Sequence, residues 1–121
     1  MQTVLLADDE PIVCRIAQLT LEASGFRVLA AIDVEEARAM FERARDQIDL
    51  LLCDVAMPRV TGPELAVEFV RKKPGLAVLL MSGCVAEAEV EAPCETRFPF
   101  IAKPFLPSAL EQRVKEILAP A

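Results

Sequence analysis

The chain has 121 residues, 54% of them hydrophobic, and a formal net charge of −6. This length fits one domain, the hydrophobic content argues against a disordered chain, and the negative charge argues against direct binding to nucleic acid. No apolar stretch is long enough to span a membrane and no signal peptide is recognisable, so we expect a cytoplasmic protein without a membrane partner.

The sequence contains four cysteines, at positions 14, 53, 84 and 94, and no histidine. Because no two cysteines have C-x-x-C spacing, a zinc site would have to be assembled from scattered, mostly apolar segments. Reduced thiols that pack as small hydrophobic side chains are the better interpretation. Without a histidine, the chain by itself is not a histidine kinase or a phosphohistidine carrier.

Five short apolar runs are predicted to be β-strands. The first, third and fourth are continuously apolar rather than alternating, as expected for strands that are buried on both faces of a parallel sheet. The predicted strands are residues 3–7, 27–31, 49–53, 77–81 and 98–102.

Helix-like segments separate and follow these strands. Asp33 and Thr61 are predicted N-caps of the second and third helices, because their side chains can accept hydrogen bonds from the first turn. Residues 85–92 form the weakest helix prediction, since their glutamates alternate as they would in a strand. The remaining helices are predicted at residues 10–24 and 107–118, and the apolar positions at helical spacing in the first are Val13, Ile16, Ala17 and Thr20.

Strands that alternate with helices predict a parallel sheet covered by helices on both faces, because parallel strands need crossover connections. The chain contains no linker, repeat or low-complexity segment. The predicted fold class is therefore α/β, with one domain over residues 1–121.

Ionisable or hydroxyl side chains come directly after four of the five predicted strands. Asp8 and Asp9 follow the first strand, Asp54 the third, Ser82 the fourth and Lys103 the fifth. In a parallel sheet these strand ends share one edge, and ligands bind at that edge. We therefore expect the five residues to form one site.

The residue types at this edge fit phosphoryl chemistry with a metal ion. Three neighbouring carboxylates repel one another, and a hard cation such as Mg²⁺ removes that penalty. Asp54 can act as a metal ligand and as a nucleophile toward phosphorus. Lys103 can neutralise charge on a transferring phosphoryl group, and the Ser82 hydroxyl can donate a hydrogen bond to it.

Four segments, LLADDEP, CDVAMPRVTG, LLMSG and FIAKPF, resemble in order and spacing the signature regions of response-regulator receiver domains of two-component systems. The resemblance covers essentially the whole chain. It implies a doubly wound, flavodoxin-like (βα)5 fold with strand order 2-1-3-4-5, and a receiver domain over residues 1–121 with no output domain.

The resemblance also implies a role for each site residue. The bound cation would be Mg²⁺ or Mn²⁺, and Gly62 matches the family glycine after the acceptor loop. The implied roles are Asp54 as phosphoacceptor; Asp9, Asp54, the backbone carbonyl of Ala56 and, through water, Asp8 as metal ligands; Lys103 as the phosphoryl-binding cation; Ser82 and Phe100 as switch residues; and Pro104 as a cis-proline.

Four positions depart from the usual family pattern, and one of them is Gly83, where alanine is frequent. Ser82 replaces the commoner threonine and keeps the hydroxyl group. Phe100 replaces the usual tyrosine and cannot make its phenolic hydrogen bond. Thr61 stands where aspartate is frequent.

The function implied is that of a signalling phosphoacceptor, not of an enzyme beyond its own phosphotransfer and slow dephosphorylation. A histidine kinase or phosphotransfer protein would supply the phosphoryl group, docking on the first helix near Ile12, Arg15 and Leu19. A downstream protein would read the conformational switch. A homodimer would use the surface formed by the fourth helix, the fifth strand and the last helix.

Other functions remain open from sequence alone. A haloacid-dehalogenase-like phosphatase would need an aspartate at position 56, which is Ala56, and a flavodoxin-like cofactor binder would need a phosphate-binding loop after the first strand. A receiver-shaped scaffold that is never phosphorylated is the main alternative. A receiver module from a hybrid histidine kinase is another.

Overall fold

The computed structural model describes residues 1–83 and 98–119. In this part of the chain, five parallel strands form one sheet in the order β2-β1-β3-β4-β5. This confirms the predicted α/β class and strand order. The strands are β1 (Thr3–Ala7), β2 (Arg27–Ala31), β3 (Ile48–Asp54), β4 (Ala77–Ser82) and β5 (Phe100–Ala102), and the helices are α1 (Pro11–Ala23), α2 (Val34–Ala44), α3 (Gly62–Lys72) and α4 (Pro107–Leu118), with a 3-10 turn at Arg45–Gln47.

The predicted helix at residues 85–92 lies outside the described residues, and so does its part of the expected dimer surface. Two of the four cysteines, Cys84 and Cys94, also lie outside them. Within the described ranges, no helix is both long and apolar enough to cross a membrane.

The central strands are apolar throughout because both of their faces are covered. Alternate residues of β1 and β3 point to opposite sides of the sheet, as the two-residue period of a strand requires. Leu5 and Leu51 pack in one core with α2 and α3, whereas Leu6 and Leu52 pack in the other with α1 and α4. The two cores explain why the polar-apolar alternation of a one-sided sheet is absent.

The core under α2 and α3 contains a stacked aromatic pair. The rings of Phe41 and Phe69 are nearly parallel, with centroids 4.1 Å apart, and neither residue is exposed. The two helices are also joined at the surface, where the guanidinium of Arg38 donates two hydrogen bonds, of 2.9 and 2.8 Å, to the carboxylate of Glu68. These contacts hold α3, and with it the loop after β3, against the sheet.

The predicted helix caps are present in the structure. The side chain of Asp33 accepts a hydrogen bond from the Glu36 amide at 2.7 Å, and Thr61 forms a reciprocal capping box with Glu64. Each cap satisfies amide groups of a first helical turn that have no partner within the helix.

The predicted inner face of α1 was only partly right. The buried residues of this helix are Cys14, Ala17 and Leu21, whereas Ile16 is 44% exposed. Two of the buried residues, Cys14 and Ala17, are small and pack in the core that α1 shares with α4. The exposed large apolar residues of this helix are Ile12, Ile16 and Leu19.

The strand register brings the carboxyl ends of β1, β3 and β4 to one edge. Ala7 lies opposite Cys53, so Asp8 and Asp54 follow neighbouring strands at the same level. Asp54 is in turn paired with Met81, and Ser82 with Ala102 of β5. The residues expected to form a site therefore follow adjacent positions of one sheet edge.

Gly62 allows the first turn of α3 to approach the end of β3. A Cβ atom at this position would lie 2.4 Å from the backbone oxygen of Asp54 and 2.9 Å from the Cα of Val55. The Gly62 amide donates a 2.8 Å hydrogen bond to the Val55 carbonyl. No side chain larger than hydrogen fits without moving the backbone that carries Asp54.

We expect Gly62→Ala to lower the free energy of unfolding by about 1–3 kcal/mol, because a backbone clash cannot be relieved by a rotamer change. The matched control is Gly83→Ala, where an added Cβ meets no atom of the described residues within 4 Å. Urea denaturation followed by circular dichroism measures both. Equal stability of the two variants would contradict the clash.

Candidate functional site

The carboxylate of Asp54 lies at the end of β3, the central strand of the sheet. The residue is 5% exposed, and its Oδ1 accepts a weak 3.4 Å hydrogen bond from the Ala56 amide. The backbone just beyond it is fixed, because the Val55 amide donates to the Met81 carbonyl at 2.9 Å. The other carboxylate oxygen, Oδ2, faces Lys103. Asp54 is thus a rigidly held anion at the edge of the sheet.

Asp8 is completely buried next to it. Its Oδ1 accepts a 2.8 Å hydrogen bond from the Glu10 amide, and its own amide donates to the Ala31 carbonyl at 3.1 Å. Its Oδ2 lies 3.0 Å from the Lys103 ammonium but receives no hydrogen bond of good geometry from the described residues. A buried carboxylate oxygen with only an ion contact has room in its coordination for a cation.

Lys103 enters the site from the end of β5. Its amide donates a 2.7 Å hydrogen bond to the Ser82 carbonyl, and its peptide bond to Pro104 is cis. The Nζ atom lies 3.0 Å from Asp8 Oδ2, 3.1 Å from Glu10 Oε1 and 3.3 Å from Asp54 Oδ2. One ammonium group therefore contacts three carboxylates.

Burial and neighbouring charges shift the pKa values of two residues in this cluster, Asp8 and Lys103. Burial raises the pKa of Asp8, and the hydrogen bond from the Glu10 amide and the Lys103 charge only partly offset that effect. Burial alone would lower the pKa of Lys103, but its contacts with Asp8, Glu10 and Asp54 outweigh this and raise it. Lys103 thus remains charged, whereas burial makes the charged form of the Asp8 carboxylate less favourable.

The structure brings together three of the five edge residues predicted from sequence, namely Asp8, Asp54 and Lys103. Ser82 is 1% exposed at the end of β4, where its carbonyl accepts the Lys103 amide hydrogen bond. Asp9 is exposed at the edge and does not belong to the group of carboxylates that lie within 4.8 Å of one another in the described part of the chain.

The remaining predicted residues lie nearby. Ala56 is exposed two residues beyond Asp54, and Phe100 is half-buried at the start of β5 against the core under α2 and α3. Sequence reasoning missed Glu10, the third member of the carboxylate group. Its signal was its place directly after the two aspartates, but nothing in the sequence shows that its side chain turns toward Lys103.

This donor set fits a hard divalent cation. The carboxylate groups of Asp8, Glu10 and Asp54 each have an oxygen within 4.8 Å of the others. In the described part of the chain, the buried Asp8 Oδ2 accepts no hydrogen bond. Oxygen ligands with excess negative charge are those that Mg²⁺ and Mn²⁺ prefer. The arrangement also sets the Asp54 carboxylate beside the Lys103 ammonium group.

Comparison with known proteins matches this chain to one protein family. The family described as "Response regulator receiver domain" matches residues 4–115. The chain is 32% identical over 117 residues, which are 96% of this chain and 12% of that protein, to the sensor kinase CckA of Brucella abortus. The first curated relatives that the chain matches are longer proteins, of which it spans between 12% and 48%.

Solved structures show the same relationship. The receiver domain of the hybrid histidine kinase CckA is 34% identical, with a TM-score of 0.81 and coverage of 96% of this chain and 98% of that one. The response regulator TrrA of Thermotoga maritima, in complex with Mg²⁺ and BeF, is 26% identical, with a TM-score of 0.85 and coverage of 98% and 100%. With the buried aspartates, the lysine and the strand order already in place, the chain belongs to the response regulator receiver domain family.

Proposed function

We propose that Asp54 accepts a phosphoryl group from a histidine kinase or phosphotransfer protein, in a reaction that depends on Mg²⁺ or Mn²⁺. The observation that carries this proposal is the position of the Asp54 carboxylate, held at the end of β3 with the Lys103 ammonium 3.3 Å away. A carboxylate beside a fixed cation can attack phosphorus while the charge on the phosphoryl oxygens is neutralised.

The transfer exchanges one bond to phosphorus for another. A carboxylate oxygen of Asp54 attacks the phosphorus atom, the bond from phosphorus to the donor's histidine nitrogen breaks, and the bonding electrons leave with that nitrogen. The product is an acyl phosphate on Asp54. Lys103 already lies beside Asp54 Oδ2, so its ammonium can pair with the new phosphoryl oxygens after a small movement.

The residues that would hold the cation are those at the ends of β1 and β3. Asp9, Asp54 and the backbone carbonyl of Ala56 are the proposed direct ligands, and Asp8 would bind through water. The close approach of the Asp8 and Asp54 carboxylates supports their part in this assignment, and Asp9 and Ala56 are proposed from the family resemblance. When bound, the ion neutralises charge on the phosphoryl oxygens.

Ser82 and Phe100 are the proposed switch residues. Ser82 is buried at the end of β4, and β5 pairs Ala102 directly with it. Movement of the Ser82 hydroxyl toward a phosphoryl group would be transmitted to Phe100 through β4 and β5, because Phe100 is paired with Leu80 on the same two strands. A partner that binds one arrangement more tightly would turn the movement into a signal.

The proposed docking surface for the phosphoryl donor is the outward face of α1 with the loop after Lys103. Ile12 and Leu19 are 75% and 50% exposed, and these large apolar residues lie about two helical turns apart on the same side of α1. Beside them lies a cavity of about 380 Å³, which opens next to the site. The cavity is lined by Glu10, Val13, Ile16, Gly83, Lys103, Pro104 and Phe105. A helix that carries the phosphohistidine could pack there and reach Asp54.

Phosphoacceptance is tested with acetyl phosphate and Mg²⁺, followed by intact-mass measurement. We expect the wild type to gain one phosphoryl group and Asp54→Ala to gain none, because the nucleophile has been removed. Asp46→Ala, at an exposed aspartate of the 3-10 turn, is the control and should behave as wild type. Failure of the wild type with both acetyl phosphate and kinases would favour the unphosphorylated scaffold.

Asp8→Asn tests whether the buried charge of Asp8 destabilises the folded protein when no cation is bound. The pKa of Asp8 is raised in the folded state, so the stability it contributes is present at low pH and is lost as pH rises through that pKa. At neutral pH in EDTA, we therefore expect Asp8→Asn to raise the free energy of unfolding, by on the order of 1 kcal/mol. Excess Mg²⁺ should close the gap, because it stabilises the wild type by mass action.

Urea denaturation with and without Mg²⁺ provides the measurement for this variant. Asp46→Asn removes the same charge from an exposed position and is the control. A loss of stability in Asp8→Asn without metal would contradict the proposed crowding of charge.

The docking surface is tested with Ile12→Lys. In a profile of purified, phosphorylated kinases and phosphotransfer domains, the donor that phosphorylates the wild type fastest is chosen as the probe. Transfer from this donor should slow about 10-fold or more, as for a buried contact residue, since a charge replaces an apolar contact. Phosphorylation by acetyl phosphate should be unchanged. Ile32→Lys, at another exposed isoleucine, is the control, and equal slowing in both variants would refute the assignment.

A further inference from the structure

Glu10 makes a contact with Lys103 that the proposed phosphotransfer does not need. Its Oε1 accepts a 3.1 Å hydrogen bond from the Lys103 ammonium, in addition to the ion contacts that Lys103 makes with Asp8 and Asp54. Unlike Asp8, which is fully buried, the Glu10 side chain is 59% exposed. Glu10 is therefore the one carboxylate of the group that can leave Lys103 for solvent.

The backbone of Glu10 is fixed while its side chain is not tied to its own helix. The Glu10 amide donates to Asp8 Oδ1 at 2.8 Å, and residue 10 occupies the N-cap position of α1. Its side chain makes no capping hydrogen bond with the first turn. The carboxylate instead contacts the Lys103 ammonium, and both residues line the cavity beside the site.

If Asp54 is phosphorylated, the new phosphoryl group and Glu10 both attract the Lys103 ammonium. The inference rests on that proposed function. An incoming phosphoryl group brings negative charge to the place where the Glu10 carboxylate already shares the ammonium. Like charges near one site oppose each other, and the contact with Glu10 must weaken for Lys103 to turn fully to the phosphoryl oxygens. The exposed position of Glu10 makes that release feasible.

We propose that Glu10 is a positioning residue that holds Lys103 before phosphorylation and competes with the phosphoryl group for its ammonium. Glu10 thereby slows phosphoryl acceptance by Asp54. The residue acts through Lys103 and does not itself bond to phosphorus. Its carboxylate sets how readily this receiver accepts a phosphoryl group from a donor.

The test is the rate constant for phosphorylation by acetyl phosphate at saturating Mg²⁺, followed by intact mass. Glu10→Gln keeps the shape and the hydrogen-bond acceptor but removes the charge. We expect it to react about two- to five-fold faster than wild type, the range expected for one partly exposed ion pair. The acceleration should shrink as salt is raised, because exposed charges are screened. Thermal unfolding checks that the variant is folded.

Two comparisons separate this role from a general charge effect. Glu22→Gln removes the same charge from the other end of α1, about 18 Å away along the helix, and should react as wild type. In a Lys103→Gln background, where the ammonium is absent, Glu10→Gln should give no acceleration.

Three results would overturn the inference. Glu10→Gln could react at the wild-type rate or more slowly at saturating Mg²⁺, the latter being the result for a metal ligand. The same acceleration could persist without Lys103, which would indicate simple repulsion of the donor. Wild type that takes up no phosphoryl group would overturn the proposed function and this inference together, whereas equal rates in phosphorylated proteins overturn the inference alone.

Discussion

The site depends on the ion contacts of the Lys103 ammonium group, which lies within 3.3 Å of three carboxylates. Buried like charges are costly, and without this cation Asp8 and Asp54 would not tolerate their positions at adjacent strand ends. One lysine compensates only part of that charge. The site therefore has an excess of negative charge, which suits it to a cation. A bound divalent cation and Lys103 together would neutralise the three carboxylates.

The rest of the fold serves to place these charged groups. The neighbouring positions of β1 and β3 set Asp8 beside Asp54, and pairing of β4 with β5 brings Lys103 across from Ser82. Two separate apolar cores, one on each face, make the strand ends rigid. The close approach of Gly62 to the Asp54 carbonyl joins α3 to the same edge. Stability and chemistry share these backbone segments, so substitutions there affect both.

Much of this arrangement was predictable from sequence. Continuous apolar runs identify β1, β3 and β4, and the caps at Asp33 and Thr61 follow from local hydrogen bonding. Conversely, the buried face of α1 depends on how closely that helix packs, which periodicity does not encode. The contact of Glu10 with Lys103 joins residues 93 positions apart and requires the folded loop after β5. Local signals predict elements, whereas the pairing of side chains across elements needs tertiary structure.

Titration of the metal-free protein with Mg²⁺, followed by amide NMR spectra, tests most directly whether the edge of the sheet is one cation-binding pocket. The account predicts one saturable binding event, with the largest shifts at the ends of β1 and β3 and at Lys103. Amide signals that stay unchanged through the titration, or shifts scattered over the exposed acidic residues of α2 and α4, would contradict it.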